Sequence, residues 1–225
     1  MSDKKADGHS VALAVVALFA GILIGIVGAG VYSVDDSVVT TDESVEGISE
    51  TQARYQITLN AHFQANALKA SSAAQAVYEE RSDSDLAVEA LEQSSEDIAT
   101  TLAVVYGDDM GDEFLDLWEG YNSSFIDYVE YARDGEQDNM LDAEVSLEEH
   151  VENTAEFLAE ITELEVETLE VILMEYNQNL LQSLNAYAAG NFEESYRLQR
   201  ESLAEMRSFS DVLGEGIVDT NPDHF

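Results

Sequence analysis

The sequence predicts an all-α protein, with a single N-terminal transmembrane helix ahead of an antiparallel bundle of about six helices arranged as three hairpins. Three observations predict it. From Ser49 almost to the C-terminus, apolar residues recur at three- and four-residue steps. One Pro and 13 Gly in 225 residues are too few for a sandwich of many short strands. One uncharged run, Val11 to Val31, is long enough to cross a bilayer.

The elements follow in chain order. Residues 1–10, MSDKKADGHS, form a short cytoplasmic tail in which Lys4 and Lys5 precede the apolar run. Residues 11–32 are the anchor, since the twenty-one residues Val11 to Val31 rise about 31 Å as a helix, one hydrocarbon core. The Lys pair on its N-terminal side keeps that end inside and places the rest of the chain outside the cell membrane, with the lipid bilayer as the first partner. The run is longer than the apolar core of a cleaved signal peptide, which is the other reading. Gly21, Gly25 and Ala29 lie four apart, the small-xxx-small spacing that lets two membrane helices approach and self-associate. Residues 33–48 are acidic and rich in Ser and Thr without a sustained period, and read as a stalk.

Residues 49–218 are the bundle, and 219–225 a tail. Ser49-Glu50-Thr51-Gln52 has the form of a capping box. It opens a helix with Tyr55, Leu59, His62, Phe63 and an Ala-rich inner face. A turn at Arg81 to Ser84 leads to a second helix, with Leu86, Leu91, Ile98, Leu102 and Val105 on its stripe. Gly107 to Gly111 breaks it, and a third helix is expected from Asp112 to Ala132, carrying Phe114, Trp118, Tyr121, Phe125 and Tyr128. Gly135 stops that helix. The next apolar run, from Leu141 and Val145 to Tyr187, would be a single helix of about 80 Å. A break near Thr162 is expected instead, because Thr162-Glu163-Leu164-Glu165 repeats the capping pattern. Gly190 and Asn191 end the fifth helix, and Phe192 to Val218 form the sixth, with Tyr196, Met206, Phe209 and Leu213 inward. Tyr121-Asn122 and Gly135 recur as Tyr176-Asn177 and Gly190, a faint repeat of hairpins.

Composition bounds the function. Nine Lys and Arg against 47 Asp and Glu give a formal net charge of -38, which repels phosphate backbones and excludes nucleic acid as a partner. Molar salt would screen that self-repulsion, so the chain reads as halophilic. Without Cys there is no disulfide, zinc-thiolate site or Cys nucleophile. No phosphate loop, nucleophile elbow or zinc-protease helix occurs, so no catalytic residue and no cofactor is assigned.

Four residues stand out as a ligand-pocket set: His62, Trp118, Tyr121 and Tyr176. His62 reads first as a hydrogen-bonded core residue and second as a metal ligand or pH sensor. The aromatic stripe reads first as core and second as a pocket lining with phenol hydroxyls as orienting groups. Asp108, Asp109 and Asp112 are expected in an acidic loop that hard cations would favour, and Asp219, Asn221 and Asp223 have the start of a calcium-loop spacing.

Tyr106-Gly107-Asp108-Asp109-Met110-Gly111-Asp112-Glu113-Phe114, with Trp118, Tyr121 and Tyr128, carries a resemblance. So do Asn185 to Phe192 with Tyr196, and the terminal Pro222-Asp223-His224-Phe225. Over roughly the last 120 residues the pattern resembles a family of secreted or membrane-anchored bacterial helical proteins, sometimes found beside copper-amine-oxidase-N-terminal-type domains. The resemblance implies a change of helix near Thr162 and brings no defined activity. In that family His is common at the positions of His62, Tyr121, Tyr176 and Glu205; only His62 is a His in this sequence, a departure that removes the ligands of a His-built metal or haem site. The expected function is therefore a membrane-anchored extracytoplasmic bundle with a non-catalytic interaction or structural role, through a protein partner or self-association. The alternative is an extracytoplasmic small-ligand or metal-binding sensor-like domain.

Overall fold

The computed structural model describes residues 48–225. The expected anchor over 11–32, with Gly21, Gly25 and Ala29, and the stalk up to residue 47 lie outside the described residues. Among the described residues, no helix is long and apolar enough to cross a membrane.

Six helices follow one another: α1 Glu50–Tyr78, α2 Ser84–Tyr106, α3 Asp108–Asp134, α4 Gln137–Thr162, α5 Val166–Ala188 and α6 Phe192–Thr220, with a 3-10 turn over Pro222–His224. Short links make consecutive helices neighbours, and the tightest pairs are the three expected hairpins, α1 with α2, α3 with α4 and α5 with α6. α6 closes back on α1, so the bundle is a ring, and α1, α3 and α5 meet one another in its interior. The core follows from that geometry. Leu59, Phe63, Phe114, Trp118, Tyr121, Tyr176, Phe209 and Leu213 are all buried. The buried alanines Ala67, Ala70, Ala73 and Ala74 let α1 sit close to its neighbours.

The helix ends show which local signals act. The Ser49 hydroxyl accepts from the Gln52 amide at 3.1 Å, and the Gln52 side chain accepts from the Ser49 amide at 2.8 Å, the reciprocal box that the sequence predicts. The second expected box does not form. Thr162 is the last residue of α4, and its hydroxyl donates to the Leu158 carbonyl at 2.6 Å inside its own helix. Glu163 then takes a left-handed φ of 58°, and α5 starts at Val166 without a side-chain cap. The break is where it was expected, but its cause is a helix end rather than a helix start.

The joint between α2 and α3 is Gly107 alone, not the five-residue loop expected from sequence. Its φ of 89° with ψ of 166° is open only to glycine, and it turns one helix directly into the next. Asp108 and Asp109 consequently stand in the first turn of α3 and Asp112 in the second, all exposed. Gly111 lets the two helices touch: a Cβ there would lie 2.9 Å from both the Ala103 Cβ and the Ala99 carbonyl oxygen. Leu86, Leu141, Val145 and Tyr196, expected on inner stripes, are exposed. Each sits near a helix end or on the outer edge of its apolar stripe, where the ring leaves no neighbour to cover it.

Candidate functional site

The structure gathers three of the four expected pocket residues and separates the fourth. From α3, Trp118 stacks on Phe114 (ring centroids 5.6 Å apart) and on Tyr121 (5.4 Å). Tyr121 in turn meets Tyr176 of α5 at 6.2 Å, and Phe63 of α1 stands edge-on to Trp118 at 5.9 Å. The spacing of residues 114, 118 and 121 puts the three α3 rings on one helix face, and that face points into the centre of the ring. Trp118, Tyr121 and Tyr176 are buried and in mutual contact, so they fill the volume that a pocket would need.

The polar atoms of Trp118 and Tyr121 are turned on other side chains of the protein. The Trp118 indole N–H donates to Asn66 Oδ1 at 3.2 Å. Asn66 Nδ2 donates to the hydroxyls of Ser94 (3.0 Å) and Ser95 (3.2 Å). Asn122 Nδ2 donates to Ser95 at 2.8 Å, and the Tyr121 hydroxyl donates to Asn177 Oδ1 at 3.1 Å. A polar chain thus ties α1, α2 and α3 together, and a second link ties α3 to α5. Leaving one such buried group unpaired costs about 1–3 kcal/mol, which is why the network specifies the register of these helices. Two polar atoms of these rings and this network stay without a partner: the Tyr176 hydroxyl and Asn122 Oδ1.

Burial pushes the Tyr121 phenol well above its usual range, with Tyr176 adding to it, and burial alone raises Tyr176. Both phenols stay neutral, so neither is a base at neutral pH. His62 is not part of this cluster. It faces α2, where its Nδ1 lies 3.0 Å from the Asp97 carbonyl and 3.0 Å from the Thr101 hydroxyl. A carbonyl only accepts, which places the ring proton on Nδ1. Glu205 is half-buried on the surface of α6 beside Glu175, and its carboxyl is raised by burial and then by that neighbour. The His62, Tyr121, Tyr176 and Glu205 positions therefore do not converge as one ligand set.

Among the described residues, no group of three or more His, Asp or Glu side chains is arranged to hold a metal, and that covers Asp108, Asp109 and Asp112. Asn221, from the calcium-like spacing, is turned instead to the Tyr106 hydroxyl (3.1 Å) and the Ile217 carbonyl (2.9 Å). An open groove does run between α2 and α3, lined by Val88, Leu91 and Ile126 with Glu92, Glu119 and Asn122. The Glu119 carboxyl is raised, first by partial burial and then by Glu92, Asp116 and Glu96.

Sequence reasoning missed Asn66, Ser94 and Ser95. A small polar residue within a helix looks the same whether it faces water or a neighbour. Asn122 and Asn177 had a signal, since each follows the recurring Tyr. No family model matches the chain, and no curated protein or solved structure matches it.

Proposed function

We propose that the chain is a non-catalytic interaction or structural protein. Its helical bundle is displayed outside the cell of a halophile and tethered by the apolar segment Val11 to Val31. The observation that carries this reading is the filled centre of the bundle. Trp118, Tyr121 and Tyr176 pack on one another, and Asn66 and Asn177 take up the indole and one phenol, so the residues best suited to orient a ligand are already used in holding helices together. What remains available to other molecules is the outer surface. Thermal unfolding of the protein in molar NaCl against a panel of metals and small molecules tests it. The expected result is a flat midpoint. A midpoint that climbs with ligand concentration, as occupancy linkage requires, overturns the reading. Alkaline extraction of membranes and protease protection test the tether: a chain released without detergent, or shielded on the outer side, would remove it.

The second reading, a sensor-like binding domain, draws on the groove between α2 and α3. There Asn122 brings a buried amide oxygen without a partner beside Glu92 and Glu119. The chemistry of that groove favours an organic cation, which the same panel includes.

A further inference from the structure

We infer that the partner of this surface is a second copy of the chain, docked head to tail, with α1 of one copy lying on α4 of the next. The inference rests on the interaction reading and names its partner. The first observation is where the acids are missing. On α3, every exposed position except Ser123 carries Asp or Glu. On α1, no Asp or Glu occurs between Glu50 and Glu79, although the chain holds 47 of them. The outward stripe of α1 is instead Ile57, Ala61, Gln64 and Leu68, with Ile57 69% and Leu68 56% exposed. Its surroundings hold three cations, one of which, Arg54, is paired with Glu50 at 2.6 Å. Arg54 and Lys69 lie on the same helix, and Arg207 of α6 lines the groove beside Ile57 and Ala61. Asp211, the one carboxylate lining that groove, is held by Asn60 at 2.6 Å and faces Arg207 at 3.8 Å.

The second observation is a complementary stripe elsewhere. On α4, Leu141 and Val145 are 60% and 55% exposed, followed on the same face by Glu148 and Glu152. Residues 141, 145, 148 and 152 have the same four-three-four spacing as 57, 61, 64 and 68, the seam by which two helices mesh. The α1 stripe carries no carboxylate and has cations beside it, while the α4 stripe is apolar at Leu141 and Val145 and acidic at Glu148 and Glu152. Two acid-free faces meeting each other would oppose Arg54, Lys69 and Arg207 to their own copies. The α1 stripe on the α4 stripe opposes them to carboxylates. Molar salt weakens such exposed pairs, so the charges choose which stripe meets which while the apolar side chains supply the attraction. α4 packs on α3 and α5, and α1 on α2 and α6, so one copy can use both stripes at once. Such a heterologous contact does not consume itself and propagates from copy to copy.

The test uses the full chain in detergent and molar NaCl, read by light scattering after chromatography. It compares wild type, Leu68→Glu and Val145→Glu, with helix content by circular dichroism as the check on folding. Both replaced side chains are exposed, so the fold is kept. Wild type should grow in mass with concentration beyond a dimer. Each variant alone should lose that growth, and an equal mixture should form a dimer and nothing larger, because each variant retains one intact stripe. A wild type that stays monomeric overturns the inference. So does loss with Leu68→Glu alone, which would mean that α1 faces α1, and so does association common to both variants, which would place the contact outside these stripes. A ligand found in the thermal panel would undo the functional reading and leave these masses unchanged, so the two failures are distinguishable.

Discussion

Tyr121 and Tyr176 occupy matched places in two hairpins, yet their hydroxyls have opposite standing. Tyr121 donates to Asn177, while the Tyr176 hydroxyl is buried without a partner. Tyr121→Phe should therefore lower stability by about 1 kcal/mol, because it also strands the Asn177 oxygen. Tyr176→Phe should be neutral or stabilising. Denaturant midpoints of the two variants decide this, and equal losses would contradict the hydrogen-bond assignment. His150 makes a third case. Its ring lies on Gly120, where a Cβ would come within 2.4 Å of Cε1, and its Nδ1 is buried without a partner. Burial lowers its pKa against the opposing pull of Glu149. The unfolded chain then binds the proton more readily than the fold. The stability from this group is complete above its ordinary value of 6.5 and is lost as pH falls through that value towards the folded one. Relative to His150→Gln, the wild-type midpoint should fall between about pH 8 and about pH 5. A constant difference would mean that the ring is as solvated in the fold as in the unfolded chain. The aromatic members of the central cluster were legible from their spacing, because 3.6-residue periodicity reports which face is inward. Asn66 and Ser95 were not, because their burial is decided by which helix lies opposite.

At the scale of the elements, the close seam between α2 and α3 makes a prediction of its own. Alanine favours a helix over glycine by about 1 kcal/mol, yet overpacking costs about 1–3 kcal/mol. With Ala103 and the Ala99 carbonyl each 2.9 Å from the new methyl, Gly111→Ala should lower the melting temperature. A rise would mean that the two helices can move apart freely. Six helices, three hairpins and the capping box at Ser49 could all be read in advance, since each rests on a local pattern. The reading failed where a local pattern had two uses. Thr162 bonds back into α4, so its capping motif is idle, and Leu164 instead tucks against Gly216 of α6, where a Cβ would meet it at 2.7 Å. Leu141 and Val145 keep the helical period but fall on a face that the ring does not cover. Periodicity sees a stripe and cannot see how wide the neighbouring helix is.

At the scale of the molecule, every salt bridge among the described residues joins side chains at most four positions apart, from Arg54 with Glu50 to Arg207 with Asp211. Among the described residues, no ion pair ties one helix to another. The surplus of carboxylates therefore adds repulsion to the fold and little attraction. The melting temperature should rise steadily as NaCl goes from about 0.1 M to about 1 M, where the Debye length shrinks from about 10 Å to about 3 Å. A midpoint indifferent to salt would show that the acids are spaced widely enough not to matter. The chain also carries its own optical probe for such experiments. Its single Trp is Trp118, clamped between Phe114 and Tyr121 at the meeting point of the odd-numbered helices. Excited at the red edge of the indole band, it emits from one address only, and its colour shift on wetting reports the opening of the whole ring with no label attached.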